Sequence, residues 1–440
     1  MTKLKIKLSD IKDSNLVFLV EKNSDLKQLQ SLKLDKSIIL KIEKVIKDSK
    51  NQKLDFFLLK NIENLFILFY NPENNKTLIE FLYELPKLPN NLSLLSNNDN
   101  NLLDLIDTTI LSRYKFNKYK SEYKKDNINI LINNKTKKLV KNRLETLDNI
   151  IFARDLETPS SDLYPEVFAK MAKSTKFKKT KVKILNSKQI EKKLHLLHNV
   201  KSSKGPYMVI FERIINKNYP TVLVKITFDT IQVKPDHMYE MKDMCAAVFA
   251  TMKELDNKKL NVNIVACLVL AENHISDSYK PSDIIKSYSK TVDVIHTDAE
   301  RLVLADITYI SKNYKLDKII SMATLTAVMV ALYRYAIMSD KKLINTFIDY
   351  SKNNFEKYVE LPYDNYFIEK TRSSQVADLE NLNTVYAGSS MAAFLSNFLL
   401  NKEAYTHLDI APAINSFEAY LYNKMTGFVD SLSEILTNLN

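Results

Sequence analysis

With 440 residues, 45% of them hydrophobic and 26% charged, the chain is long enough for two domains with cores of their own and has the balance of a soluble globular protein. Its net charge of +12 comes from lysines spread along the whole length beside many asparagines, a compositional bias and not the clustered surface of a nucleic-acid reader. Two cysteines, Cys245 and Cys267, exclude a disulfide framework and suit a reducing cytoplasm, with Cys245 expected as a buried free thiol.

The opening MTKLKIKLSD alternates lysine with apolar residues and lacks the apolar run of a signal peptide. Short apolar runs at 16–20, 54–59 and 65–70 predict buried strands, and helical spacing predicts helices over 36–48, 77–84 and 101–113. PKLPNNLSLLSNNDNN at 86–101 predicts a surface loop. Strands alternating with helices make residues 1–134 a smaller N-terminal α/β domain. The densest basic run, Lys115 to Arg143, is expected as a solvated face, with DNA phosphate binding as the alternative. An amphipathic segment over 135–157 predicts a connecting helix, stopped by Thr158-Pro159.

Residues 158–440 are expected to form the larger, C-terminal domain. Candidate strands are 181–185, 207–211, 221–228, 262–270 and 317–323, and candidate helices are 165–174, 188–195, 240–255, 299–309 and 324–337. The alternation predicts an α/β fold with a mixed, mostly parallel sheet covered by helices, and sites at the carboxyl ends of its strands. The most apolar stretch, 322–338, is broken by Thr324, Thr326 and Arg334, so no membrane span is expected.

Three blocks concentrate the chemistry: TVLVKITFDTIQVKP at 221–235, MYEMKDMCAA at 238–247 and VIHTDAERLVLAD at 294–306. They carry Lys225, Asp229, Lys234, Asp243, Asp298, Glu300 and Arg301. Four carboxylates gathered with a lysine make a poor core, because each buried charge must be paired or neutralised. Two divalent cations among them would balance the charge and let a bridging water ionise near neutral pH. Other site types are weaker. His195 and His198 lie in KKLHLLHN on a basic helix and are expected to be solvated, while His237, His274 and His407 are isolated and no HExxH occurs.

The three blocks resemble the leucyl aminopeptidase family of two-metal cytosolic exopeptidases, whose patterns read VGKGxTFDxGGxxxKP, MKxDMxGAA and [NH]TDAEGRLxLAD. The likeness extends to ATLTAVMVAL at 323–332, VADLENLNTVYAGSSMAAFL at 376–395 and THLDIAPAI at 406–414, and upstream to SRYKFNKYKS at 112–121 and ARDLETPSSDLYPEVFA at 153–169. It implies a metal-dependent aminopeptidase that releases N-terminal, preferably leucine-like, residues from peptides through a hydroxide bridging two zinc or manganese ions. By position, Asp229 and Glu300 would bridge the metals, Asp298 would complete one site, and Lys225 with Asp243 the other. Lys234 would stabilise the oxyanion, and Arg301 would hold a bicarbonate that shuttles the proton. Met241, Thr324 and Leu325 would line the pocket for the first side chain. His296 stands where the family has Asn or His and is expected to position its loop. A cytoplasmic homo-hexamer follows from the same likeness.

Every charged letter of those patterns is present in order, and every glycine of them is missing. Glycine numbers 3 in 440 residues, against an ordinary share of about 7%. Loss of one residue between Lys225 and Asp229 reverses their relative phase in an extended segment. Loss of the residue before Arg301 turns it by about 100° on a helix. Two expectations follow: an active aminopeptidase whose gene encodes glycines that this sequence omits, as when a reassigned codon goes untranslated, or a catalytically inactive member serving as a scaffold or DNA-binding protein.

Overall fold

A computed structural model describes residues 5–8, 15–21, 36–50, 59–62, 65–70, 92–96, 99–121, 127–130, 136–156, 162–200, 205–229, 240–272, 279–296, 299–324, 333–338, 340–353, 357–381, 387–401, 403–410 and 428–439. The chain divides into two compact units, Met1–Ile151 and Phe152–Asn440.

In the first unit β1 (Lys5–Leu8), β2 (Asn15–Glu21), α1 (Lys36–Lys50), β3 (Leu59–Ile62), β4 (Leu65–Tyr70), β5 (Leu92–Ser96), α2 (Asp99–Arg113) and β6 (Asn127–Ile130) follow one another. The strands form one sheet in the order β1-β6-β5-β2-β4-β3, parallel except where β3 meets β4. The surface loop expected over 86–101 is corrected: Leu92, Leu94 and Leu95 are fully buried in β5, which pairs with β2 and β6. The asparagines flank an apolar LSLLS whose burial outweighs the turn signal around it. The helix expected over 77–84, and residues 54–58 of the strand expected over 54–59, lie outside the described residues. In the basic run, Lys115, Lys118, Lys120, Lys137, Lys138 and Lys141 are exposed, while Arg143 pairs with Asp107 at 2.6 Å. The helix α3 (Lys137–Asp155) has residues on both sides of the division.

The second unit begins with α4 (Pro165–Ser174), β7 (Lys181–Leu185), α5 (Ser187–Lys193), α6 (His195–His198), β8 (Tyr207–Arg213) and β9 (Thr221–Asp229). It continues through α7 (Glu240–Asn257), β10 (Asn263–Ala271), β11 (Ile284–Lys286), β12 (Thr291–Asp293), α8 (Ala299–Ala305), α9 (Ile307–Asn313) and β13 (Lys318–Ala323). It ends with β14 (Tyr333–Met338), α10 (Lys341–Asn353), β15 (Lys357–Leu361), α11 (Asn365–Lys370), β16 (Leu379–Glu380), α12 (Ala387–Ser396), β17 (Ala404–Asp409) and α13 (Phe428–Asn438).

Eight strands form the main sheet in the order β15-β14-β17-β13-β9-β10-β8-β7. Its centre, β17-β13-β9-β10, is parallel, and β8 and β14 run antiparallel to it. Every residue of β10 is buried, as expected of a strand covered on both faces. Local signals set the helices. Pro165 starts α4, with Phe168, Ala169 and Ala172 on its buried stripe, and Asn186 caps α5 in a reciprocal box with Gln189.

Two expected helices are corrected. Over 324–337, Tyr333–Met338 is the strand β14, paired with β15 on one side and β17 on the other. Its YRYAIM carries Tyr333, Tyr335 and Ile337 at alternate positions, aromatic and β-branched residues that favour a pleated strand; residues 325–332 lie outside the described set. The helix over 299–309 breaks at Asp306, whose Oδ2 accepts the Leu197 N–H at 3.2 Å. Among the described residues no helix is long and apolar enough to cross a membrane.

Gly205 has φ +62°, and a Cβ there would stand 2.2 Å from Ser187 Oγ, so any side chain at this position would be strained and would have to displace Ser187. Ser282 occupies the same left-handed region, at φ +75°, without being glycine.

Candidate active site

β9 and β13 lie side by side with Ile226 opposite Met322. Both strands run in the same direction, β9 on to Asp229 and β13 on to Ala323, the residue before Thr324. At this edge Glu300, in the first turn of α8, is fully buried. The Thr324 N–H donates to Glu300 Oε2 at 2.9 Å and its hydroxyl to Oε1 at 3.0 Å. Cys245 of α7, two residues after Asp243, is near enough that Glu300 reinforces burial in pushing its thiol well above the ordinary value. The end of β9, the end of β13, the start of α8 and the first half of α7 therefore meet at one sheet edge.

Arg301 is also buried, and its Nη1 donates to the Asn381 carbonyl at 3.2 Å. Asn381 Oδ1 accepts from the N–H groups of Ile295 at 2.8 Å and His296 at 3.1 Å, and its Nδ2 donates to His296 O at 2.7 Å. One asparagine thus ties the segment leading into α8 to Arg301. Asn381 was missed in the sequence, although it stands inside the VADLENLN stretch, and it holds the backbone of His296.

Lys225 is fully buried in the middle of β9, and its Nζ donates to Leu304 O at 2.8 Å. Burial lowers its pKa to about 8, and the neighbouring Asp306 pulls it back up. Burial pushes Asp306 up to about 6 against the pull of Lys225. Glu300 lies in the first turn of α8, whereas Lys225 meets its last turn, so the two meet the helix at opposite ends.

Asp229 ends β9, and Met241 and Asp243 lie on α7, but their side chains fall outside the described residues, as do Lys234, Asp298 and Leu325 altogether. Among the described residues no group of three His, Cys, Asp or Glu is set to hold a metal. His407, isolated from the other histidines in the sequence, is fully buried with Nδ1 2.8 Å from Ser321 Oγ. Of the two histidines expected to be solvated on a basic helix, His195 is exposed and His198 is half-buried. Cys245 and Cys267 are both buried free thiols.

Residues 151–432 match the family described as cytosol aminopeptidase family, catalytic domain. The chain belongs to that family. A probable cytosol aminopeptidase of Protochlamydia amoebophila is 32% identical over 335 residues, covering 69% of this chain and 67% of that protein. One from Wigglesworthia glossinidia brevipalpis is 31% identical over 440 residues, covering 92% of this chain and 81% of that protein. The fold matches a tomato leucine aminopeptidase mutant with TM-score 0.80 and 21% identity, over 99% of this chain and 96% of that one. As a cytosol aminopeptidase family member the chain is an enzyme of the metallopeptidase class, and the two-domain α/β architecture is that of the solved aminopeptidase.

Proposed function

We propose that the protein is a cytoplasmic, metal-dependent aminopeptidase acting on peptides with leucine-like N-terminal residues, assembled as a homo-hexamer. The observation that carries this is the buried Glu300 carboxylate seated on Thr324 beside the end of β9. Asp229, Asp243, Asp298 and Glu300 form an anionic oxygen set, with chemistry that suits two zinc or manganese ions. When bound, such ions ionise a water and polarise the scissile carbonyl. Lys225 is the fifth proposed ligand, and joins the set only by exchanging Leu304 O for a metal.

Around that set the chain's own residues divide the work. Met241, Thr324 and Leu325 receive the first side chain, so that the scissile bond is fixed beside the carboxylates. Lys234 supplies positive charge where the carbonyl oxygen becomes an oxyanion. Arg301, anchored on Asn381, presents a buried cation that suits a small oxyanion such as bicarbonate for proton transfer.

One observation favours a second reading for the 440-residue chain as written. β9 pairs with β10 in unbroken register from Thr221 to Asp229, and this ladder holds Lys225 against α8. On this second reading a chain locked this way would keep the fold as an inactive scaffold. Metal analysis with a leucyl p-nitroanilide assay separates the two. About two divalent ions per chain and hydrolysis that stops on chelation support the aminopeptidase; a folded protein without metal or turnover overturns it.

A further inference from the structure

One residue, Thr324, holds both oxygens of the fully buried Glu300 carboxylate. Its N–H donates to Oε2 at 2.9 Å and its hydroxyl to Oε1 at 3.0 Å. The last torsion of a glutamate is broad, so by itself the carboxylate turns easily about it. Two donors from one residue, one on each oxygen, remove that freedom and fix the plane of the group. The donor residue is fixed in turn. Thr324 directly follows Ala323, the last residue of β13, which pairs with Asp409 of β17 and accepts the Ile410 N–H at 2.9 Å. An ionised carboxylate offers about four lone-pair sites. Thr324 takes one at each oxygen and so fills neither of them.

We propose that Thr324 is the positioning residue of Glu300: its two donors set the carboxylate plane for divalent ions, while its methyl serves the pocket for the first side chain. This rests on the proposed function, in which Glu300 is a ligand and Thr324 lines that pocket. A group that hydrogen-bonds a metal-binding carboxylate acts on affinity by orienting it. The division of labour within Thr324 follows from its own chemistry. Its hydroxyl is committed to Oε1, so what this half-buried side chain has left to offer a pocket is its methyl. A polar residue in this state presents an apolar contact to a leucine-like side chain. One residue then sets both the fit of the first side chain and the angle of the carboxylate.

Two substitutions separate the roles. Thr324→Val keeps the methyl and removes the hydroxyl, and Thr324→Ser keeps the hydroxyl and removes the methyl. In metal-free protein, proton NMR is expected to show the Thr324 amide far downfield and its hydroxyl proton slow to exchange, as donors to a carboxylate are. Glu300→Gln should move both signals; unmoved signals overturn the contact, whatever the enzyme does. By equilibrium dialysis, Thr324→Val should bind zinc or manganese roughly 10-fold more weakly than wild type, with its preference for leucyl over alanyl p-nitroanilide unchanged. Thr324→Ser should bind metal as wild type does and lose roughly 10-fold of that preference in kcat/KM. Should Thr324→Val not fold, Thr324→Ala set against Thr324→Ser isolates the hydroxyl in the same way. Undiminished metal affinity without the hydroxyl, or the same loss of affinity in Thr324→Ser, overturns the proposal and leaves the proposed function standing. A wild-type protein that binds no divalent ion sinks the proposed function and this assignment with it.

Discussion

The amine of Lys225 lies 2.8 Å from the carbonyl of Leu304, and that bond fastens the last turn of α8 to the middle of β9. Lys225 and Asp306 are both fully buried and act on each other's charge. Removing one partner strands the other charge in the core. Lys225→Met and Asp306→Asn are each expected to cost about 3 kcal/mol in metal-free protein, and the double variant less than their sum. Urea unfolding of the four proteins measures this, and additive losses would show that the pair is not coupled.

Stability should also carry the mark of His407. Its folded pKa of about 3 lies below the ordinary 6.5, the direction in which the unfolded chain takes up a proton that the folded one refuses. Stability is therefore lost as pH falls from 6.5 towards 3, by at most about 1.4 kcal/mol per pH unit from this group. His407→Gln should flatten that part of the acid limb while keeping the rest. Identical pH slopes for the two proteins between pH 6.5 and 4 would contradict a buried neutral histidine.

The sheet was legible because its strands are apolar runs: KVKIL, YMVIF, TVLVKITF and VNIVACLVL all became strands of the main sheet. The strand β17 was not anticipated, because AYTHLD is half polar and its burial depends on neighbours far along the chain. The same limit hid the site's supports. Asn381 bonds to residues 80 and more positions away, and Ser321 to His407 at a separation of 86, neither of which a local pattern contains. Glu300 and Arg301 could be picked out from their block, whereas the end of α8 that Lys225 meets is set by strand register and no motif encodes it.

Ser282 offers a direct test of what glycine scarcity costs. It is exposed and sits at φ +75° in the turn before β11, with its N–H donating to Val294 O at 2.8 Å. A side chain in this region is strained, and glycine is not. Ser282→Gly is expected to raise stability by about 1 kcal/mol, net of the greater freedom it gives the unfolded chain. Thermal unfolding reads this, and a loss of stability would mean that the serine is held by something stronger than the strain.

The missing glycines can be weighed. If the gene encodes them, the protein purified from its natural source is heavier than the 440-residue chain by whole glycine masses, and fragmentation of the peptide from Val222 to Lys234 shows glycine beside Lys225 and after Thr230. The structure adds a second consequence. β9 is paired without a bulge from Thr221 to Asp229, with Lys225 opposite Cys267. One more residue beside Lys225 must either form a bulge or carry Lys225 to the other face of the strand. A shift of Lys225 to the other face would break the bond to Leu304 and free the amine to join the carboxylates. The glycine-bearing protein is therefore expected to bind about two divalent ions and to hydrolyse leucyl substrates, while a synthetic gene for the literal 440 residues yields a chain that binds neither. A natural protein whose mass equals that of the literal chain would remove the glycines from consideration and leave the inactive scaffold as the better account.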